Sequence, residues 1–239
     1  MVDPFFRNPT ADGSATSATS YDAGLRAHMV RVFNYMGGGL ALTGLIAFLV
    51  ANTPLGALVF GSKLTAYLAM FAPLVFVMFM SFKLQNASAG TAQTMFWTFC
   101  GLMGLSMASI FMVFTGASIA RVFFITAATF AGMSLWGYTT KKDLAGFGAF
   151  LMMGVMGLFI ASIVNLFMAS SGLQWIVSIL GVGIFTGLTA YDVQNIKRMY
   201  SESWGSEANN KLAVIGALSL YMNFINAFQF LLSLMGDRR

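Results

Sequence analysis

Seven apolar runs, separated by short polar breaks, occupy the chain from residue 35 onward. A helix rises about 1.5 Å per residue, so about 20 apolar residues cross about 30 Å of hydrocarbon. The runs extend from about Tyr35 to Ala51, Leu64 to Phe82, Met95 to Phe114, Ala120 to Tyr138, Phe147 to Ala169, Leu173 to Tyr191 and Leu212 to Met235. The expected fold is therefore all-α, a polytopic membrane protein of seven transmembrane helices. The connections are short, so neighbouring helices run antiparallel.

Composition agrees. Of the 239 residues 58% are hydrophobic and 9% charged, against about 25% charged in an average soluble domain. Eight acids and 13 bases cannot clothe a soluble protein of this size, so most of the surface faces a lipid bilayer. The net charge of +5 is carried by bases scattered singly or in pairs between apolar runs. That is the pattern of membrane-flanking charge, and it excludes a nucleic-acid partner. Residues 1–29 are polar and read as a flexible cytoplasmic tail; residues 30–239 form a single transmembrane domain. With the N-terminus cytoplasmic, nine Lys and Arg fall inside and four outside (Lys63, Arg121, Arg238 and Arg239), which favours that orientation. A re-entrant last segment, the alternative, would bring Arg238 and Arg239 inside.

Ionisable groups are scarce once the loops are set aside. Asp192 directly adjoins the sixth run, and no acid lies within any run. Asp at a helix centre costs about 2.5 to 3.5 kcal/mol, falling toward the interface, and such residues mark ion or proton paths. In the last run Ser219, Asn223, Asn226, Gln229 and Ser233 recur at spacings of four, three, three and four, forming one polar stripe. A stripe of this kind faces protein or water, which places the last helix centrally. Enzymatic chemistry has little to work with. The single histidine, His28, lies in the polar N-terminal region, no run has an internal lysine, and Asp192 is the one membrane carboxylate on offer where an aspartyl protease needs two. A Ser–His protease, a histidine zinc site and an aspartyl protease are excluded.

The segment Gly187-Leu-Thr-Ala-Tyr-Asp192-Val-Gln-Asn-Ile196 resembles the signature of the Bax inhibitor-1 family, also called the transmembrane Bax-inhibitor-motif family. Gly137-Tyr-Thr-Thr-Lys-Lys-Asp-Leu144, Ala108-Ser-Ile-Phe111 and Gly216-Ala-Leu-Ser-Leu-Tyr-Met-Asn-Phe-Ile-Asn226 agree with it in order and spacing. The likeness covers nearly the whole chain from about Arg26 and is greatest to the bacterial inner-membrane branch. It implies that the last helix is surrounded by the other six, that the protein resides in a bacterial inner membrane, and that it is a pH-sensitive calcium leak. In that mechanism two aspartates, one on the sixth helix and one on the seventh, share a proton and latch the cytoplasmic side. Asp192 matches the first, but Asn223 stands at the second position. Two close carboxylates cannot both ionise, whereas an Asp–Asn pair hydrogen-bonds with Asp192 charged. The expectation is a latch of weak pH dependence at Asp192 and Asn223, with Asn226 and Gln229 lining or bracing the central helix. Calcium, as the transported ion, would find at Asp192 one carboxylate among neutral oxygens. That is a weak contact for an ion that takes about six to eight oxygens, and no resident cofactor is expected. The resemblance also carries an alternative, since some bacterial relatives regulate a membrane-bound ATP-dependent protease without conducting.

Overall fold

The computed structural model describes residues 9–239. Eight α-helices follow in order: α1 Pro9–Asn52, the short α2 Pro54–Phe60, α3 Lys63–Lys83, α4 Ala89–Val113, α5 Gly116–Thr139, α6 Ala145–Met168, α7 Ser171–Met199 and α8 Gly205–Met235. Seven of them, all but α2, are long and apolar enough to cross a membrane. Among the described residues there is no β-strand, only an isolated bridge between Phe114 and Arg238. The protein is an all-α polytopic membrane protein, as its apolar runs require.

The helix starts are written in the sequence. Ser62, Ser88, Thr115 and Ser170 each accept a hydrogen bond from the backbone N–H three residues on, at 3.2 to 3.3 Å. Such caps satisfy amides that have no partner within the helix and contribute about 1 kcal/mol each. At the other end of α6, Ala169 turns left-handed with φ 47°. There the Asn165 side chain accepts from the Ser170 amide at 3.0 Å, which closes the connection to α7.

α8 is the central element. Its most apolar window is 61% buried, against 17% for α3 and for α6. It packs most extensively on α7, then on α1, α5 and α4. α3 and α6 complete the ring, held chiefly by α4 and α7 respectively. Tyr221 anchors the core, with Phe99 and Phe96 edge-on to its ring at 5.8 and 6.1 Å. Its hydroxyl lies 2.7 Å from Thr43 Oγ1, which also donates to the Cys100 carbonyl. The outward faces carry Leu64, Phe82, Phe124, Leu166 and Phe167, all exposed, as a lipid-facing surface requires.

Past α8 the chain is tied down. Asp237 forms a 2.7 Å ion pair with Arg121. The Thr115 amide donates to the Asp237 carbonyl, and the Arg239 amide to the Val113 carbonyl. α8 runs unbroken for 31 residues, about 46 Å, long enough to cross a bilayer and without the break that a re-entrant segment needs.

Two boundaries differ from the apolar runs. α7 continues past Tyr191 to Met199, since Val193, Gln194 and Ile196 remain buried against the bundle. α1 is already packed at Leu25, His28 and Met29, inside the segment expected as a tail; residues 1–8 of that tail lie outside the described residues. A hydropathy run locates the lipid-crossing part of a helix, not its ends.

Candidate functional site at Asp192

The last turns of α7 are fixed by the connection between α5 and α6. Gly137 lets α5 approach so closely that a Cβ there would lie 2.3 Å from the Ala190 carbonyl oxygen. Gln194 Nε2 donates to the Lys142 carbonyl at 2.8 Å, and its Oε1 accepts from the Leu144 amide at 2.9 Å. Lys197 donates to the Tyr138 carbonyl at 3.1 Å and lies over the Tyr138 ring. Arg198 pairs with Asp143 at 2.7 Å. The segments 137–144 and 187–196, far apart in sequence, therefore form one rigid corner that orients Asp192.

Asp192, half-buried, points at α8. Its Oδ2 accepts from Ser219 Oγ at 2.5 Å and from Asn223 Nδ2 at 2.7 Å. Ser219 and Asn223 are four residues apart, hence on one face of α8. The pair links α7 to the central helix, at about 0.5 to 1.5 kcal/mol for each bond to a neutral carboxyl and about 1.5 to 3 kcal/mol to a charged one.

The remaining residues of the stripe have other places. Asn226 donates to the Met222 carbonyl of its own helix at 2.8 Å. Ser233 accepts from Gln174 of α7 at 3.4 Å, which ties the opposite end of the same helix pair. Asn226 and Gln229 face open space. A cavity of about 610 Å³ between α6, α7 and α8 is lined by Asn165, Gln174, Ser178, Asn226, Gln229 and Ser233. A second, of about 360 Å³, lies between α3, α4 and α8 and reaches the same Asn226 and Gln229. Neither has a charged residue in its lining. A third, of about 170 Å³, lies at the other end and is lined by His28, Asp192, Asn195 and Ser219. Between them stands one turn of α8, in which Leu220, Tyr221, Asn223 and Phe224 are buried.

The family resemblance paired Asp192 with Asn223, and the two side chains are hydrogen-bonded here; Ser219 was placed only as part of the stripe. Sequence reasoning left His28 out, in a polar stretch. The signal was there, since Leu25, Met29, Val32 and Met36 follow a helical spacing and all are buried. Among the described residues no three His, Cys, Asp or Glu side chains group as a metal site.

Comparison with known proteins agrees with this architecture. A protein of Caulobacter vibrioides is 46% identical over 92% of each chain, and one of Rickettsia prowazekii 41% identical over 92% of this chain and 93% of its own. The inner membrane protein YbhL of Escherichia coli is 42% identical over 91% of this chain and 94% of its own. The family described as inhibitor of apoptosis-promoting Bax1 matches residues 25–239. Its match begins at Leu25, where α1 enters the core, and runs to the tied C-terminus, so this chain belongs to the Bax inhibitor-1 family.

Proposed function

We propose that the protein is a pH-modulated leak for calcium or a similar cation, closed in this structure, with Asp192 as the gate acid and Asn223 and Ser219 as its partners. The supporting observation is the arrangement of cavities along α8. One reaches from Asn226 to Ser233, a second with a mostly apolar wall meets the same Asn226 and Gln229, and one at the other end reaches Asp192. A single turn of α8 separates them, and the Asp192 hydrogen bonds hold that turn in place. Polar side chains within a span face protein or a water-filled space, so exposed Gln229 marks water reaching inward from one side. Protonating Asp192 weakens both bonds, because a neutral carboxyl accepts less strongly than a carboxylate. α8 is then freer to move.

The orientation belongs to the same proposal. Lys141, Lys142, Lys197, Arg198 and Lys211 lie at the Asp192 end, and an excess of Lys and Arg favours the cytoplasmic side. Asp192 then faces the cytoplasm of a bacterial cell across its inner membrane. The test is calcium flux into proteoliposomes from about pH 5 to 8, for the wild type and Asp192→Asn. Flux that varies with pH in the wild type and loses that variation in Asp192→Asn supports the reading. Flux equal to protein-free liposomes at every pH, with folded protein, overturns it.

A further inference from the structure

α1 packs on α4 and α8, and α5 on α7 and α8, but α1 and α5 make no extensive contact with each other. A cavity of about 300 Å³ occupies the slot between them and reaches the central helix. Gly44 of α1 and Gly116, Ala120 and Phe124 of α5 stand at its mouth, all exposed. Phe224, Ile225 and Phe228 of α8 form its floor, all buried. A Cβ built at Gly44 or at Gly116 meets nothing within 4 Å, so the mouth is open. Thr43 is the one polar side chain in the lining, and its hydroxyl is already engaged with the Cys100 carbonyl and the Tyr221 hydroxyl.

Water has no hold in such a place, since a retained water needs about two to four polar partners. An apolar cavity of about 150 Å³ stays dry and takes up benzene, and this one is about twice that size. Left empty, its lining would forfeit the dispersion contacts of a filled interior. In a bilayer the material at its mouth is acyl chain. The charges nearby identify the molecule that carries the chain. Gly116 begins α5 just after Phe114 and Thr115, and the Arg238 guanidinium lies over the Phe114 ring, 6.0 Å from its centroid. Arg238 makes no ion pair among the described residues, whereas Arg121, next to Ala120, is taken by Asp237. The end of a span lies at the level of the phosphate layer, and a guanidinium meets a phosphate with two parallel hydrogen bonds. We propose that this cavity binds one phospholipid of the bilayer, with an acyl chain in the slot against Phe224 and Phe228 and the phosphate on Arg238. Phe224 follows Asn223, so the bound chain rests on the turn of α8 that is hydrogen-bonded to Asp192. The site stands on the slot and its charge and does not require that the protein conduct.

Native mass spectrometry of the detergent-purified protein, titrated with dioleoyl phosphatidylglycerol, reads the binding directly. In the wild type a complex of one lipid per chain is expected to saturate before further copies add. Gly44→Leu extends a side chain into the slot from a position with no neighbour to clash with, and is expected to weaken that complex about tenfold. Arg238→Gln removes the charge and is expected to weaken it about threefold. Gly132→Leu, likewise exposed on α5 but outside the cavity, is expected to keep the wild-type affinity. Absence of a distinct one-to-one complex in the wild type overturns the proposal, and this arm needs no variant to fold. Affinity unchanged in either folded Gly44→Leu or folded Arg238→Gln also overturns it, since the lipid then binds elsewhere on the apolar surface.

Discussion

The Asn223 amide meets Asp192 Oδ2 at 2.7 Å from the helix at the centre of the bundle, where a carboxylate would be forced to share a proton with Asp192. Asn223→Asp creates that pair. Two carboxylates at this distance cannot both ionise, and they titrate as a unit. The variant is expected to show a steeper dependence of calcium flux on pH than the wild type, read in proteoliposomes. Identical profiles would remove Asn223 from the gate. Asn223→Leu leaves Asp192 with Ser219 as its partner and is expected to lower stability by about 1 to 3 kcal/mol, measured by thermal unfolding in detergent.

Asp143 gives a separate prediction with a definite sign. Its carboxyl is held below the usual range, first by the Ala145 amide and then by the Arg198 guanidinium. A depressed value in the folded protein means that the stabilisation is present above the unfolded value of about 3.9. It is lost as pH falls through the lower folded value. Nothing at Asp143 therefore changes between about pH 5 and 8. Asp143→Asn is expected to leave the shape of the flux profile unaltered over that range. Its effect on melting is expected to be smaller near pH 3 than at neutral pH. A flux profile displaced along the pH axis would make Asp143 a sensor.

The corner between α5 and α7 is close-packed. Gly137→Ala puts a methyl 2.3 Å from the Ala190 carbonyl oxygen, and relieving that overlap is expected to cost about 1 to 3 kcal/mol. Gly132, on the same helix, has no neighbour within 4 Å of a built Cβ. Gly132→Ala is expected to be neutral or stabilising by up to about 1 kcal/mol. Thermal unfolding of the two variants side by side tests whether the difference lies in packing or in helix propensity.

The cavities that meet Asn226 and Gln229 predict a pattern of labelling. The native Cys100 is buried and is expected to be silent toward a membrane-impermeant thiol reagent. Gln229→Cys and Asn226→Cys, which share both cavities, are expected to react from the outside of oriented vesicles. Ile225→Cys, buried in the core, is expected not to react. Equal protection at all three positions would mean that water does not enter.

The parts of this fold that follow from lipid solvation were legible in the residues. Apolar length located seven spans, and the polar stripe placed α8 inside, because hydrocarbon penalises both kinds of error heavily. The pairing of Asp192 with position 223 came from the family resemblance, and spacing alone would not have produced it. His28 was missed because a hydropathy window averages around the whole helix. Asp22, Arg26 and Arg31 face outward there and mask a face already inside the core. The corner built by Gln194, Lys197 and Arg198 was illegible for another reason. Its partners are mainly backbone carbonyls and amides, whose position no sequence pattern records.

The fastening of residues 237–239 to the connection between α4 and α5 constrains the mechanics of α8. At that end the helix is joined by two backbone bonds and an ion pair, at its middle by Ser219 and Asn223 meeting one carboxylate, and nearer its start by Asn210 accepting from Arg31 of α1. Sliding such a rod along its axis would break the bonds at its C-terminal end. On the proposed reading the freedom that remains is sideways, about a fulcrum beside Arg121 and growing toward Gly205, and it passes through the barrier turn next to Asp192. Trimming the final three residues would remove that fastening and leave α8 held by its side chains alone.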